Sequence, residues 1–135
     1  MAVVVDTSIL IALERELLSS KPASLSLVTD AVVSTISLFE LKIGAILADN
    51  EARRVARLEF IANVMASVAV LAFGEREAEE AATAFAQLRR AGQKVGDRDL
   101  MIAATALANG HTVLTLNRAE FERIPGLSLT APLIQ

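Results

Sequence analysis

The chain has no cysteine, tryptophan or tyrosine, one histidine, and three prolines in 135 residues. Without cysteine there is no disulfide, no thiolate nucleophile and no zinc–thiolate site. Neither a G-x-G-x-x-G turn nor a P-loop occurs, so no glycine-rich cradle for a nucleotide phosphate is expected. No apolar run approaches the roughly 20 residues that span a bilayer. The N-terminal stretch has too few basic residues for a signal peptide, and a soluble cytoplasmic protein is expected. The net charge of −3 argues against a nonspecific nucleic-acid coat, which would be basic. It leaves room for a local site where metal ions and a few arginines meet a phosphate. Repeats, linkers and low-complexity segments are also missing.

Apolar residues are abundant, at 53% of the chain, above the usual share. One domain over residues 1–135 is expected, able to bury a core without staples. Some of the apolar surplus is available for a subunit interface.

Ala2-Val3-Val4-Val5-Asp6-Thr7-Ser8 organises the rest. Three β-branched residues in a row read as a strand buried on both faces. The run stops on a carboxylate, and Ile9 to Leu18 follows with helical spacing. Further strands are expected at Ala31–Ser34, Val68–Leu71, Thr112–Leu116 and, briefly, Leu127–Leu129. Helices are expected from Pro22 to Thr29, Leu38 to Ala48, Glu51 to Met65, Glu75 to Ala91 and Asp99 to Asn109. One helical turn is expected at Arg118–Phe121. In Glu51–Met65 the expected buried stripe is Val55, Leu58, Ala62 and Met65. In Glu75–Ala91 it is Ala78, Ala81, Ala82, Phe85 and Leu88, with Gly92 just past the end. Strands alternating with helices predict a three-layer α/β/α domain with a central parallel sheet of four to five strands.

In such a sheet ligands bind beyond the carboxyl ends of the strands. Asp6 falls on that rim, though it also suits a helix cap. Glu40 follows the second strand. It reads either as the far end of a Ser37–Glu40 capping box or as a carboxylate on the buried side of its helix, needing a partner or a metal. Asp97 and Asp99 open a helix that is otherwise almost uncharged. Asp97 is the better cap, and small Ala103 and Ala106 share the face of Asp99 and leave space beside it. Asn117 closes the fourth strand as a rim residue or a turn residue, with Glu120 one turn on. His111 precedes that strand and belongs to the opposite rim, which argues against a triad with Ser8. Three carboxylates and an amide at one rim would repel one another, and a divalent cation resolves the repulsion. Oxygen-only ligands select Mg²⁺ or Mn²⁺, and acidic sites of this kind cleave phosphodiesters. The position two residues after Asp6 is Ser8, where haloacid-dehalogenase-like phosphatases need a second Asp. Asn117-Arg118 likewise departs from the late Lys of receiver domains.

Val5-Asp6-Thr7-Ser8, Ser37-Leu38-Phe39-Glu40-Leu41-Lys42-Ile43-Gly44, Asp99-Leu100-Met101-Ile102-Ala103-Ala104-Thr105-Ala106 and Thr115-Leu116-Asn117-Arg118-Ala119-Glu120-Phe121 together resemble the PIN domain. More narrowly they resemble the VapC-type toxins of bacterial toxin–antitoxin pairs. The likeness covers essentially the whole chain. It implies a Mg²⁺- or Mn²⁺-dependent endoribonuclease in which Asp6, Glu40 and Asp99 match the three acidic positions and hold the metal. Asn117 stands at the fourth position, with Glu120 as its possible substitute. Thr7 or Ser8 resembles a hydroxyl that orients water or phosphate, and Arg98 or Arg118 would stabilise charge on the scissile phosphate. Arg53, Arg54 and Arg57 read as guides for an RNA backbone or as a solvated helix face. The resemblance further implies a homodimer, an RNA substrate (tRNA or another structured RNA), a small VapB-like antitoxin, and a higher toxin–antitoxin assembly. The rivals are a catalytically silent PIN-like protein-binding module and a structure-specific DNA nuclease. For the latter the sequence supplies no extra arch or helical insertion.

Overall fold

The computed structural model describes residues 2–18 and 30–130. The helix expected over Pro22–Thr29 lies outside them. The elements are β1 (Val3–Val5), α1 (Thr7–Leu18), β2 (Ala31–Ser34), α2 (Thr35–Ile46), α3 (Glu51–Ser67), β3 (Ala69–Leu71), α4 (Glu75–Arg90), α5 (Asp97–Asn109), β4 (Thr112–Leu114) and α6 (Arg118–Phe121). The strands form one sheet in the order β3-β2-β1-β4, and every pairing is parallel. Leu129 adds only an isolated parallel bridge to Val113, so the expected fifth strand is reduced to a single residue pair.

The valine-rich strands sort their side chains by the pleat. Val4, Val32 and Val113 point into a core shared with Ala84, Leu88, Leu100, Ile102, Ala103 and Phe121. Val5, Val33 and Leu114 point the other way, into a core with Ile9, Leu10, Leu41, Phe60, Ile61 and Val64. The sheet is therefore sandwiched between α4–α5 on one face and α1–α3 on the other. This is the three-layer α/β/α arrangement that the alternation of elements predicted.

The chain leaves β1 toward β2 and β3, then returns to the other side of β1 as β4. The direction of winding thus reverses between β1 and β4, and their carboxyl ends splay into a crevice. The β1–β4 ladder runs to the last residue before that crevice, where the Asp6 amide donates to the Leu114 carbonyl at 2.9 Å. His111 lies at the other end of the sheet, its Nδ1 accepting from the Ala2 amide at 3.1 Å.

Several sequence expectations are corrected. α2 begins three residues early, directly from β2, because Ser34 takes the capping role and its Oγ accepts from the Ile36 amide. Ser37 is therefore inside the helix, and the Ser37–Glu40 capping box does not form. α5 is capped by Gly96, with Asp97 and Asp99 both in its first turn, so Asp97 is not the cap. The buried side of α3 is Phe60, Ile61 and Val64, while Val55 and Ala62 face solvent. α4 buries Glu77, Ala81, Ala84 and Leu88 and exposes Ala78, Ala82 and Phe85. Ala103 and Ala106 are fully buried. They bring α5 close to the sheet instead of leaving space beside Asp99.

Candidate active site

Asp6 is buried in the crevice, with 1% of its surface exposed. Its Oδ2 accepts two hydroxyl hydrogen bonds, from Ser8 Oγ at 2.7 Å and from Thr115 Oγ1 at 2.8 Å. Each hydroxyl is itself oriented by an amide from the turn after β4. Leu116 N donates to Ser8 Oγ and Asn117 N donates to Thr115 Oγ1. With those amides occupying their lone pairs, both hydroxyl protons turn to the carboxylate. Among the described residues Oδ1 receives no such donor, so it is the oxygen left for a ligand.

Glu40 comes from the second turn of α2 and is half-buried. Thr7 Oγ1 lies 2.8 Å from both Glu40 Oε1 and Ser37 Oγ, so its one proton is offered to either acceptor. Arg98 Nη1 stands 3.8 Å from Glu40 Oε2, and its guanidinium carbon sits 5.1 Å from the centre of the Phe39 ring.

Asp99 completes the cluster from the first turn of α5. Burial, then the negative charges of Asp6, Glu120 and Glu40, push its carboxyl up to about 7. A hydrogen bond to Glu120 acts in the same direction. Glu120 is anchored in turn, its Oε1 accepting from the Gly96 amide at the start of α5 at 2.8 Å.

Asp6, Glu40, Asp99 and Glu120 are therefore electrostatic neighbours at the crevice. Asn117 is exposed on its edge and its side chain does not cap α6. Ser8 faces Asp6 and orients it. Arg98 reaches the cluster. Arg118 does not: its Nη1 bonds the Thr130 carbonyl at 3.0 Å and its Nε lies 3.9 Å from Glu122. The α3 arginines are occupied with structure. Arg53 pairs with Asp49, Arg54 with Glu51, and Arg57 reaches the Gly44 carbonyl and Glu14, which is the solvated-face reading. Sequence reasoning passed over Thr115 and the Arg98–Glu40 pair. The one available signal for Thr115 was a hydroxyl at the end of the strand next to the one that ends in Asp6.

The donor set suits a hard divalent cation. It offers oxygen only, an Asp6 Oδ1 without a hydroxyl donor among the described residues, and an Asp99 whose carboxyl is raised to about 7 by burial and then by its acidic neighbours. Among the described residues no three acidic or histidine side chains converge into a closed ligand set. Mg²⁺ does not need one, because it keeps several waters and binds through one or two carboxylates plus phosphate oxygens. The residues fit such an ion.

An acidic crevice at the winding reversal of a parallel α/β/α sheet is the architecture of a PIN domain, and the PIN domain family matches residues 3–127. The chain is 41% identical to a ribonuclease VapC of Rickettsia bellii over 134 residues, covering 98% of both. It is 36% identical to a tRNA(fMet)-specific endonuclease VapC of Salmonella typhimurium over 97 residues, 72% of this chain and 71% of that one. Its structure is similar to that of DNA-bound VapBC from Salmonella typhimurium, with a TM-score of 0.80 and 27% identity, covering 96% of this chain and 97% of the other. The chain belongs to the PIN-domain family, within its VapC group.

Proposed function

We propose that this chain is a metal-dependent endoribonuclease toxin. It cleaves tRNA or another structured RNA and is neutralised by a cognate VapB-like antitoxin. It works as one nuclease domain over residues 1–135, in the cytoplasm, as a homodimer. The observation that carries the reading is the meeting of Asp6, Glu40 and Asp99 beside the β1–β4 crevice, where burial and then the negative charges of Asp6, Glu120 and Glu40 raise the Asp99 carboxyl to about 7. A partner assembly is supported by the names of the relatives. It is supported also by exposed apolar side chains at the end of α2 and on α4, among them Ile46, the C-cap Leu47 and Phe85. Among the described residues no helix is long and apolar enough to cross a membrane.

Asp6 and Asp99 would hold Mg²⁺ or Mn²⁺. When bound, the ion supplies positive charge against the scissile phosphate and lowers the pKa of water. Ser8 and Thr115 aim the Asp6 carboxylate. Glu40, steadied by Thr7, takes the proton of the attacking water at its Oε atoms. Arg98, already within reach of Glu40, answers the charge that develops on the phosphate. Glu120, held by the Gly96 amide, keeps Asp99 in place. Asn117 lines the open edge.

The test is cleavage of total tRNA by the purified, antitoxin-free protein with Mg²⁺ or Mn²⁺, with EDTA, and with the variants Asp6→Asn and Asp99→Asn. Metal-dependent cutting that falls at least about 100-fold in each variant supports the reading. Cutting that survives both substitutions removes the assigned site. A folded protein that cuts no RNA and binds no metal is the silent binding module instead.

A further inference from the structure

Phe39 and Phe85 are the two exposed phenylalanines of the five, and Phe39 is the one beside the acidic cluster. Phe121 and Phe60 are buried in the cores, whereas the Phe39 ring is 51% exposed and directly precedes Glu40. The same guanidinium that stands 3.8 Å from Glu40 lies over this ring, 5.1 Å from its centre. Arg98 is thus pinned between a carboxylate of the acidic cluster and an aromatic face, and its own side chain remains 54% exposed. Across the crevice Leu116 is also half-exposed, one residue from Thr115 and bonded through its amide to Ser8. The acidic centre therefore has an apolar surface on each side and a fixed cation beside one of them.

We propose that Phe39 and Arg98 form a stacking subsite for one unpaired base of an RNA chain whose neighbouring phosphate lies at the acidic cluster. The inference rests on the nuclease reading. Its chemistry follows from the juxtaposition. Unpaired bases stack on aromatic rings and on guanidinium planes, and a phosphate needs a cation near it. Here the ring, the plane and the cation adjoin one another within a side chain's reach of the carboxylates. Arg98 lies over one face of Phe39, so the base stacks on the other face of the ring or on the outer face of the guanidinium, beside the cation that meets its phosphate. A partner protein's apolar side chain in the same place would cover the exposed Arg98 guanidinium and bring no anion to it. The subsite selects a loop or a splayed end over a continuous duplex, because a paired base cannot offer its face. Stacking is tolerant of base identity, so the sequence preference arises elsewhere.

The experiment first maps the bond that wild type cuts in total tRNA with Mn²⁺. It then uses a labelled RNA hairpin carrying that loop, intact or with a single abasic nucleotide on either side of the cut bond. Wild type, Phe39→Ala, Phe39→Leu and Phe39→Tyr are compared, with Asp6→Asn as the inactive control and thermal melts as the fold control. On the intact hairpin kcat/KM should fall roughly 10- to 100-fold in Phe39→Ala and Phe39→Leu and stay within about threefold of wild type in Phe39→Tyr. One abasic position should cost wild type a similar factor and cost Phe39→Ala almost nothing, because both changes remove the same interaction. If Phe39→Leu cuts as well as wild type, or if the abasic and Phe39→Ala effects multiply, the subsite is wrong. If Phe39→Ala cuts normally but is no longer inhibited by its antitoxin, the ring is a protein contact and the proposal is overturned. If wild type cuts no tRNA at all, the nuclease reading fails first and the subsite falls with it.

Discussion

Thr115 shows how much a single hydroxyl decides at this site. It is fully buried, accepts from the Asn117 amide and donates to Asp6 Oδ2. Thr115→Val keeps the shape and removes the donor to a buried carboxylate, and also strands the amide. The expected cost is about 1–3 kcal/mol of stability, together with weaker Mn²⁺ binding. Thr115→Ser should recover most of both, as read by denaturant titration and metal titration. Asp99 makes a prediction about pH. Its carboxyl stands at about 7 in the fold, against an ordinary value of 3.8. Between those values the folded chain holds a proton that the unfolded chain has lost, so stability falls as pH rises from about 4 to about 7 and then levels. Metal must displace that proton, so metal affinity should rise across the same window. In EDTA, Asp99→Asn should flatten the stability profile, measured by urea denaturation at pH 5 and pH 8. Asp6 was legible in the sequence because a valine run that stops on Asp is informative by itself. Glu40 was legible only as a choice between two roles. Its sequence spacing from Ser37 imitates a capping box, and the structure gave the cap to Ser34. The Arg98–Glu40 pair joins residues 58 positions apart, and no local pattern encodes such a distance.

At the scale of elements, the existence and order of strands and helices were legible, and the helix faces were less so. α4 carries Ala78, Ala81, Ala82 and Ala84, so its wheel is apolar on two sides and periodicity alone does not choose between them. Packing against α5 chose Ala81, Ala84 and Leu88. α3 was half read: Leu58 and Met65 of the expected stripe pack against the core, but Phe60, Ile61 and Val64 beside them fill more of it than Val55 and Ala62, which face solvent. Gly44 tests the mechanics of α2. It sits inside the helix, and a Cβ built there meets nothing within 4 Å. Gly44→Ala should therefore stabilise the protein by about 0.5–1 kcal/mol through the lost backbone entropy of the unfolded chain. A shift of the denaturation midpoint without a change in slope is the expected record. Gly110, at a φ of 68° after α5, is the contrasting case, since a side chain there would meet the left-handed penalty.

At the scale of the whole molecule, the cluster gathers like charges that a bound cation would relieve. Ligand that binds the folded state alone stabilises by mass action. Mn²⁺ at about 100 times its dissociation constant should raise the melting temperature of wild type by roughly 5–10 °C. Asp6→Asn and Asp99→Asn should show little of that shift, in a thermal melt with and without EDTA. The sequence by itself determined the class of fold, the four strands, and the three acids that match the family pattern. Those features are local: a β-branched run, a helical period and a motif are each read within a dozen residues. Only the tertiary structure decided that Glu120 is tied to Asp99 while Asn117 stands at the edge, that Thr115 and Ser8 aim Asp6, and that Arg98 turns to the cluster while Arg118 turns to Thr130. Those are contacts between separate elements, set by the order β3-β2-β1-β4 and by the depth to which small alanines let α5 settle on the sheet. Proximity across a fold depends on how all its layers pack at once, and a one-dimensional pattern carries the periods of that packing without its distances.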